Sequence, residues 1–432
     1  MKISGWGRRP LIETNVWRLQ DDHQFKACLD SGFSGCAHGL GRSYGDSAVA
    51  SQILDMRTYD HFLDFDDSAG VIACQAGVSL DEVLKVSVPK GWFLSVTPGT
   101  KFVTLGGCIA SDVHGKNHHA VGCFSQFLLW LDLMLPNGEV IRCSKEKNTE
   151  IFLATCGGMG LTGIILRAAI QLQPISSSYI DQETIKTTGL EHTLDMFEQT
   201  SSADYSVAWI DCLAKGKQQG RCILTTGTHR TAGELDVHSA GKLSIPVDFP
   251  TITLNSLSIK AFNTLYYHKE QKDVSRAVVH YDPYFYPLDK IHNWNKMYGK
   301  NGFIQYQFVV PYEAGLKALR SALNAMAESG KASFLAVLKH LGAENDNYLS
   351  FPMEGYTLAV DFKWHSDLPS LISVLNDIVL NYGGRIYLAK DGMMGAEMLR
   401  KTYPHLEQFI ALRKQLNTES VFNSLQSMRL KI

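Results

Sequence analysis

The chain has 432 residues, with 41 Lys and Arg against 43 Asp and Glu and a formal net charge of -2, so no bulk field recruits nucleic acid or anionic lipid. At 45% hydrophobic and 19% charged residues it reads as an ordered globular chain, long enough for two domains or one large one. Its nine cysteines form no C-x-x-C pair and no zinc spacing, and no apolar run approaches the ~18 residues that span a bilayer; a disulfide framework, a structural metal and a transmembrane span are set aside. Met1 to Pro10 has no apolar segment behind Arg8-Arg9, so no secretory signal is read there, and a reducing, cytoplasmic location is expected.

In chain order, Asp22 to Leu29 has a short helical pattern, and Gly32 to Gly35 a turn. A strand leads into the first glycine-rich stretch, His38-Gly39-Leu40-Gly41-Arg42-Ser43-Tyr44-Gly45-Asp46. Ser51 to Met56 and Gly70 to Gln75 read as strands, and Ser79 to Val88 as a helix capped by Ser79 with Glu82 three residues on. The longest stretch of this type, Val96 to Gly122, mixes glycines 99, 106, 107 and 115 with small polar residues and three histidines, the profile of a cofactor wall. Leu128 to Pro136 ends at Asn137-Gly138, a hairpin signal into Glu139 to Cys143. A short helix, Asn148 to Ala154, precedes the third stretch, Gly157 to Gly163, and Ile164 to Gln173 is a strand. Pro174 to Ser178 marks the end of a first unit, near residue 178.

Beyond it, longer helices (Leu190 to Gln199, Glu313 to Ser329, Leu368 to Tyr382) alternate with strands such as Phe303 to Val310 and Tyr356 to Phe362, the pattern of a sheet with helices on one face. The fold class is therefore α+β. Thr225 to Asn263, with little periodicity, reads as a long loop or lid, disordered without ligand. Arg385 to Asp391 is a strand-like apolar run carrying a polar cluster, and Leu399 to Leu416 an amphipathic tail.

Three glycine-rich stretches suggest one extended ligand. The first is not a nicotinamide Rossmann fingerprint, because Tyr44 stands where the third glycine belongs, and no P-loop occurs. His114, His118 and His119 lack a metal-binding helical motif, so metal is not expected. His114-Gly115-Lys116 is better suited to an anionic or electron-rich group; His118-His119 reads equally as surface or supporting histidine. Lys390, three residues after Tyr387, is either a solvated strand end or a functional cation. Alternation puts Gln305 and Gln307 on one strand face, suited to hydroxyl recognition or to solvent.

The motifs G-L-G-R-S-Y-G-D, P-G-T-x-x-V-T-x-G-G-x-I-A-x-D-x-H-G-K-N-H-H, G-G-x-G-L-T-G-I-I, Q-Y-Q-F-V-x-P and Y-x-A-K-D together resemble the flavin oxidoreductases of the vanillyl-alcohol-oxidase type, and within them the branch that oxidises polyprenyl-phosphoryl ribose. The similarity runs from Gly5-Trp6-Gly7 to the last residues. It implies a two-part FAD-binding domain, residues 1–178 and 385–432, with a substrate-binding domain, 179–384, of antiparallel sheet flanked by helices inserted between. It implies FAD contacts from Ala37, His38, Gly39, Leu40, Gly41, Arg42, Ser43, Tyr44, Gly45, Asp46, Ser47, Gly99, Thr104, Leu105, Gly106, Gly107, Ser111, Asp112, Val113 and His114, with Ile165 on the adenine side and Tyr387 near the isoalloxazine.

Lys390, with His114, Gln307, Tyr387 and Lys339, is implied for the catalytic wall. Arg42 occupies the slot of the histidine that binds flavin covalently in some relatives, so FAD is expected to be non-covalent. The implied reaction is oxidation of the 2'-hydroxyl of a polyprenyl-phosphoryl-β-D-ribofuranose to the 2'-keto sugar, the first half of an epimerisation completed by an NADH-dependent short-chain reductase partner, with peripheral membrane contact through residues 225–263. The competing readings are a sugar or alditol oxidase using oxygen and a flavin-fold binding protein without activity. Two departures stand out: His38 replaces an arginine, and Ala359 in T-L-A-V-D-F replaces a reactive cysteine, so inhibitors that need that thiol are not expected to attach.

Overall fold

The computed structural model describes all residues except 240, 242, 251, 252 and 332. In the first part of the chain a small parallel sheet pairs β1 (Asn15–Trp17) and β2 (Cys36–His38) with β3 (Gln52–Asp55), and helix α1 (Asp22–Asp30) connects the first two. An antiparallel sheet follows from β4 (Phe62–Asp66), β5 (Val71–Gln75), β6 (Trp92–Leu94), β7 (Leu128–Met134), β8 (Val140–Cys143) and β9 (Ile164–Pro174), in the order β8-β7-β9-β5-β4 with β6 on the far end of β9. The β7-β8 hairpin turns at Asn137-Gly138, where Gly138 has φ 78°. Helix α2 (Leu80–Ser87) carries the full capping box: the Ser79 hydroxyl receives the Glu82 N–H, and the Glu82 carboxylate receives the Ser79 N–H.

The glycine pair at 106–107 is not a loop. It lies in helix α3 (Leu105–Ala110), capped by Thr104. A Cβ on Gly106 would stand 2.9 Å from that of Ala76, so the glycine lets the helix press onto the sheet. The N–H groups of Leu105 and Gly106 donate to Val78 and Ala76 carbonyls, and are spent on that packing.

In the crossing from Pro174 to Ser178, Pro174 and Ser176 are exposed while Ile175 is buried and Ser177 and Ser178 are inaccessible. The second sheet has eight antiparallel strands: β10 (Tyr179–Thr187), β11 (Tyr205–Ile210), β12 (Cys222–His229), β13 (Val274–His280), β14 (Phe303–Val310), β15 (Ala336–Leu341), β16 (Gly355–Lys363) and β17 (Arg385–Ile386). Their order is β13-β10-β12-β11-β15-β16-β14-β17. Helices α4 (Leu190–Gln199), α5 (Tyr312–Ser329) and α6 (Leu368–Asn381) pack on one another and on the sheet. In α5 the buried positions Gly315, Ala318, Leu319, Ala322, Leu323 and Met326 form the 3–4 spaced stripe of an amphipathic helix. All eight residues of β14 are buried, which removes solvent as the reason for Gln305 and Gln307.

Of the expected lid, 225–229 completes β12 and 256–263 opens helix α7 (Ser256–Lys269); only 230–255 is largely irregular, and residues 240, 242, 251 and 252 lie outside the described set. The loop is tied down at His238, whose ring joins Asp81 (2.7 Å) to Tyr281 (2.5 Å). Nearby, Lys101 pairs with Asp282, and its N–H donates to Asp289; together these contacts join the first part of the chain to the second.

The strand-like run at 385–391 is two residues of β17 followed by a turn, with Lys390 N–H donating to Tyr387 O. The tail beyond is two helices, Ala396–Thr402 and Leu406–Gln415, separated at Tyr403-Pro404 because proline cannot continue the first. Gly35 and Val421 exchange a backbone bond, and Arg429 bridges Asp46 (2.7 Å) and Asp391 (2.8 Å), returning the chain end to the first glycine loop. Among the described residues no helix is long and apolar enough to cross a membrane.

Candidate active site

The first glycine loop, α3 with its following loop, and the 387–391 turn converge. A Cβ on Gly39 would collide with the Thr104 side chain, and one on Gly45 with the Asp391 carbonyl; only glycine permits either approach. Tyr44 N–H donates to Ala389 O, and the Tyr387 hydroxyl to Ser111 O at 2.9 Å. His38 is held through Nδ1 by Ala48 O at 2.7 Å. The Asp112 carboxylate is consumed by Ser125, Asn345, Asn347 and Ser350. Ile165 is buried in the first apolar core and takes no part in these polar contacts.

One side of this junction suits an anionic dinucleotide. Among the described residues, no protein acceptor meets the N–H groups of Leu40, Gly41, Arg42 and Ser43. The Arg42 guanidinium lies over Trp6 (3.9 Å) and beside Phe102 (5.6 Å), with Nε buried and unpartnered. Gly99 is exposed, and a Cβ there would meet nothing within 4 Å. Successive free N–H groups beside an unpaired guanidinium make an anion cradle, so the residues present fit a flavin dinucleotide.

The other side is the face of the second sheet opposite the helices. By register, β14, β16 and β15 place Gln305 opposite Asp361, Ala359 between Gln307 and Val337, and Thr357 opposite Lys339. Asp361 is 0% exposed and accepts from Gln305 Nε2 (2.6 Å) and the Tyr298 hydroxyl (3.0 Å). Burial raises its pKa to about 7, against the lowering effect of these donors and of Lys390. Half-buried Lys390 sits 3.9 Å over the Tyr44 ring. Burial brings its pKa down to about 7, with Asp361 opposing and Lys339 assisting. A buried carboxyl and a lysine, each within the field of the other, thus lie at this end of the cleft.

His114 has a fixed tautomer. The Thr357 hydroxyl donates to Phe308 O (2.8 Å), so its oxygen accepts from the Gln307 amide (3.2 Å), which also donates to His114 Nε2 (3.1 Å). Burial, then Lys339, drives the His114 pKa well down; the neutral ring carries its proton on Nδ1, which is buried without a partner. Tyr387 (5.3 Å) and Phe351 (5.6 Å) pack against this ring. His118 is 2% exposed and accepts the Gly342 N–H at Nδ1 (3.2 Å), leaving an unpartnered Nε2–H; it is not a surface histidine.

His118 and His340 are both held neutral, their pKa values brought down to about 3, first by burial and then by neighbouring cations and histidines. Because the folded values lie below the ordinary 6.5, their contribution is complete above pH 6.5 and is lost as the pH falls toward 3. Between pH 6.5 and 5 each removes up to ~2 kcal/mol. Urea midpoints at pH 7 and pH 5 check this, and equal midpoints would contradict it.

Among these groups Asp361, Tyr298 and Phe351 escape a reading by motif. The available signal is alternation: Thr357, Ala359 and Asp361 share the face that Gln305 and Gln307 line on the paired strand.

A dinucleotide cradle set against a sheet face with a lysine in the field of a buried aspartate belongs to a flavin oxidoreductase of the vanillyl-alcohol-oxidase type, and the chain is an FAD-dependent oxidoreductase acting on a CH–OH group. Residues 25–144 match the family model described as FAD binding domain. The chain is 34% identical to decaprenylphosphoryl-beta-D-ribose oxidase of Mycolicibacterium smegmatis, over 100% of this chain and 97% of that protein, and it belongs to that family. It is 29% identical to an uncharacterized protein of Streptomyces coelicolor over 82% of this chain and all of that one. Delta(24)-sterol reductase of Mus musculus is 26% identical, over 32% of this chain and 27% of its own.

With Arg42 at the position of the covalent histidine, FAD is expected to leave with the supernatant when the holoprotein is precipitated in acid. A yellow pellet would contradict this.

Proposed function

We propose that the chain oxidises the 2'-hydroxyl of a polyprenyl-phosphoryl-β-D-ribofuranose to the 2'-keto sugar, as the first half of an epimerisation. The full-length likeness to an enzyme named for decaprenylphosphoryl ribose supports the substrate. The observation that carries the chemistry is the Lys390-Asp361 pair under one wall of the cleft.

FAD is held by the loop from Ala37 to Ser47 with Arg42, by Gly99 and by the residues around α3, and when bound it supplies the two-electron acceptor for the carbinol. Lys390 Nζ meets the reacting hydroxyl. Asp361 has no accessible surface, so it acts through Lys390. Burial brings the Lys390 pKa down to about 7, so the free amine is available near neutral pH; it takes the hydroxyl proton, and the resulting ammonium, in the field of Asp361, faces the oxygen as it becomes a carbonyl. His114 Nδ1–H is a fixed donor and Gln307 its anchor; Tyr387 walls the ring side.

An NADH-dependent short-chain reductase would complete the epimerisation. Membrane contact falls to the 225–263 region, where Leu257 (78%) stands exposed on α7, with Leu265 (74%) about two turns further along the same helix.

Anaerobic incubation with farnesyl-phosphoryl ribose and an artificial electron acceptor tests the reading. The product should weigh two hydrogens less than the substrate and yield both ribo and arabino epimers on borohydride reduction. Rapid peroxide formation from a free sugar in a parallel aerated assay, with no change in the lipid sugar, would instead establish an oxygen-using sugar oxidase.

A further inference from the structure

The polar face of the second sheet has two unlike ends. At one, Lys390 lies within the field of Asp361. At the other, Lys116 lies within the field of Lys339, and among the described residues no carboxylate is paired with either. Lys116 gives one proton to Tyr284 O and packs over that residue's ring at 4.4 Å. Lys339 reaches inward from β15 beside Thr357. Its charge also acts on His114 and His118, the two buried rings whose N–H groups have no acceptor.

We propose that Lys116, Lys339 and the unpartnered N–H groups of His114 and His118 form the seat of a phosphate, the phosphodiester that joins the sugar to its lipid. This rests on the reading of the substrate given above. A phosphodiester supplies what this end lacks: a negative charge between two ammonium groups, and oxygens that accept from two fixed imidazole donors. The geometry also sets the direction of the substrate. Thr357, Ala359 and Asp361 share one face of β16, with Ala359 the smallest side chain of the row, and the charge of Lys339 reaches Lys390. Because the 2'-hydroxyl and the phosphate on C1' are vicinal, a sugar lying over Ala359 presents its hydroxyl to Lys390 and its phosphoryl group to Lys339. Lys116 and Lys339 are only half-buried, so the cleft is open to a ligand at this end.

The competing source of the same chemistry is the pyrophosphate of FAD. Titrating the FAD holoprotein with farnesyl phosphate and with farnesol, and following the visible flavin spectrum, separates the two. Farnesyl phosphate carries no sugar and cannot be oxidised at C2', so the result stands apart from whether a phosphoribosyl lipid is a substrate. The wild-type protein should bind farnesyl phosphate at least about tenfold more tightly than farnesol. Lys339→Met and Lys116→Met should each erase most of that preference with the FAD-to-protein ratio intact, and Lys339→Arg should restore part of it. Equal binding of the two lipids by the wild type, or equal weakening of both in the variants, would overturn the proposal. Loss of FAD from the Met variants would also overturn it, since the lysines would then serve the cofactor.

Discussion

Replacing Lys390 with alanine is expected to slow flavin reduction by the lipid sugar by about 10²- to 10⁴-fold, the range for losing a positioned acid-base group, with FAD still bound. The FAD cradle at Leu40 to Ser43 and Arg42 does not depend on the lysine side chain. What disappears is the group over the Tyr44 ring, in the field of Asp361, that touches the hydroxyl and takes its proton. Lys390→Met, which keeps the stem packed on Tyr44, should be as slow as the alanine variant; recovery with methionine would mean that packing, not proton transfer, is what Lys390 provides. Anaerobic single-turnover rates decide it, and a wild-type rate in either variant would remove Lys390 from the mechanism.

Asp361→Asn is expected to lower the same rate by about 10- to 100-fold at pH 7.5 and to move its pH dependence. In the wild type the rate should rise with pH as Lys390 loses its proton, through the neighbourhood of pH 7. The carboxylate raises the affinity of Lys390 for its proton. Without it the Lys390 pKa falls further, so the acid limb of the variant's profile should lie at lower pH than that of the wild type. Asp361→Glu should recover part of the rate. A purely structural role would lower the amplitude while leaving the limb in place, so the position of the limb decides the matter.

Local features with a local cause were legible before the fold was known. The Ser79-Glu82 box, the Asn137-Gly138 hairpin and the α5 stripe each depend on residues within a turn or two of one another. Residues 225–263 misled for the opposite reason. Helix α7 turns Leu257 and Leu265 outward, so its apolar residues draw no amphipathic stripe, and the Thr-rich end of β12 is a strand only because β10 and β11 pair with it. Gly106 and Gly107 read as part of a cofactor wall because the packing partner of Gly106, Ala76, lies at a distant strand end.

The candidate site divides along the same line. The glycine loops and Lys390 carry motifs. Asp361 is a lone acid in an apolar strand, and its meaning appears only when β14 sets Gln305 against it and Lys390 returns from the far end of the chain.

The central claim is that this FAD protein takes its electrons from the carbinol of a phosphoribosyl lipid. Anaerobic stopped-flow mixing of the oxidised holoprotein with farnesyl-phosphoryl ribose, monitored at the visible flavin band, tests it most directly. The account predicts full bleaching with the lipid sugar and little with free ribose. A flavin that stays oxidised with the lipid sugar, or one bleached equally well by free ribose, would contradict it.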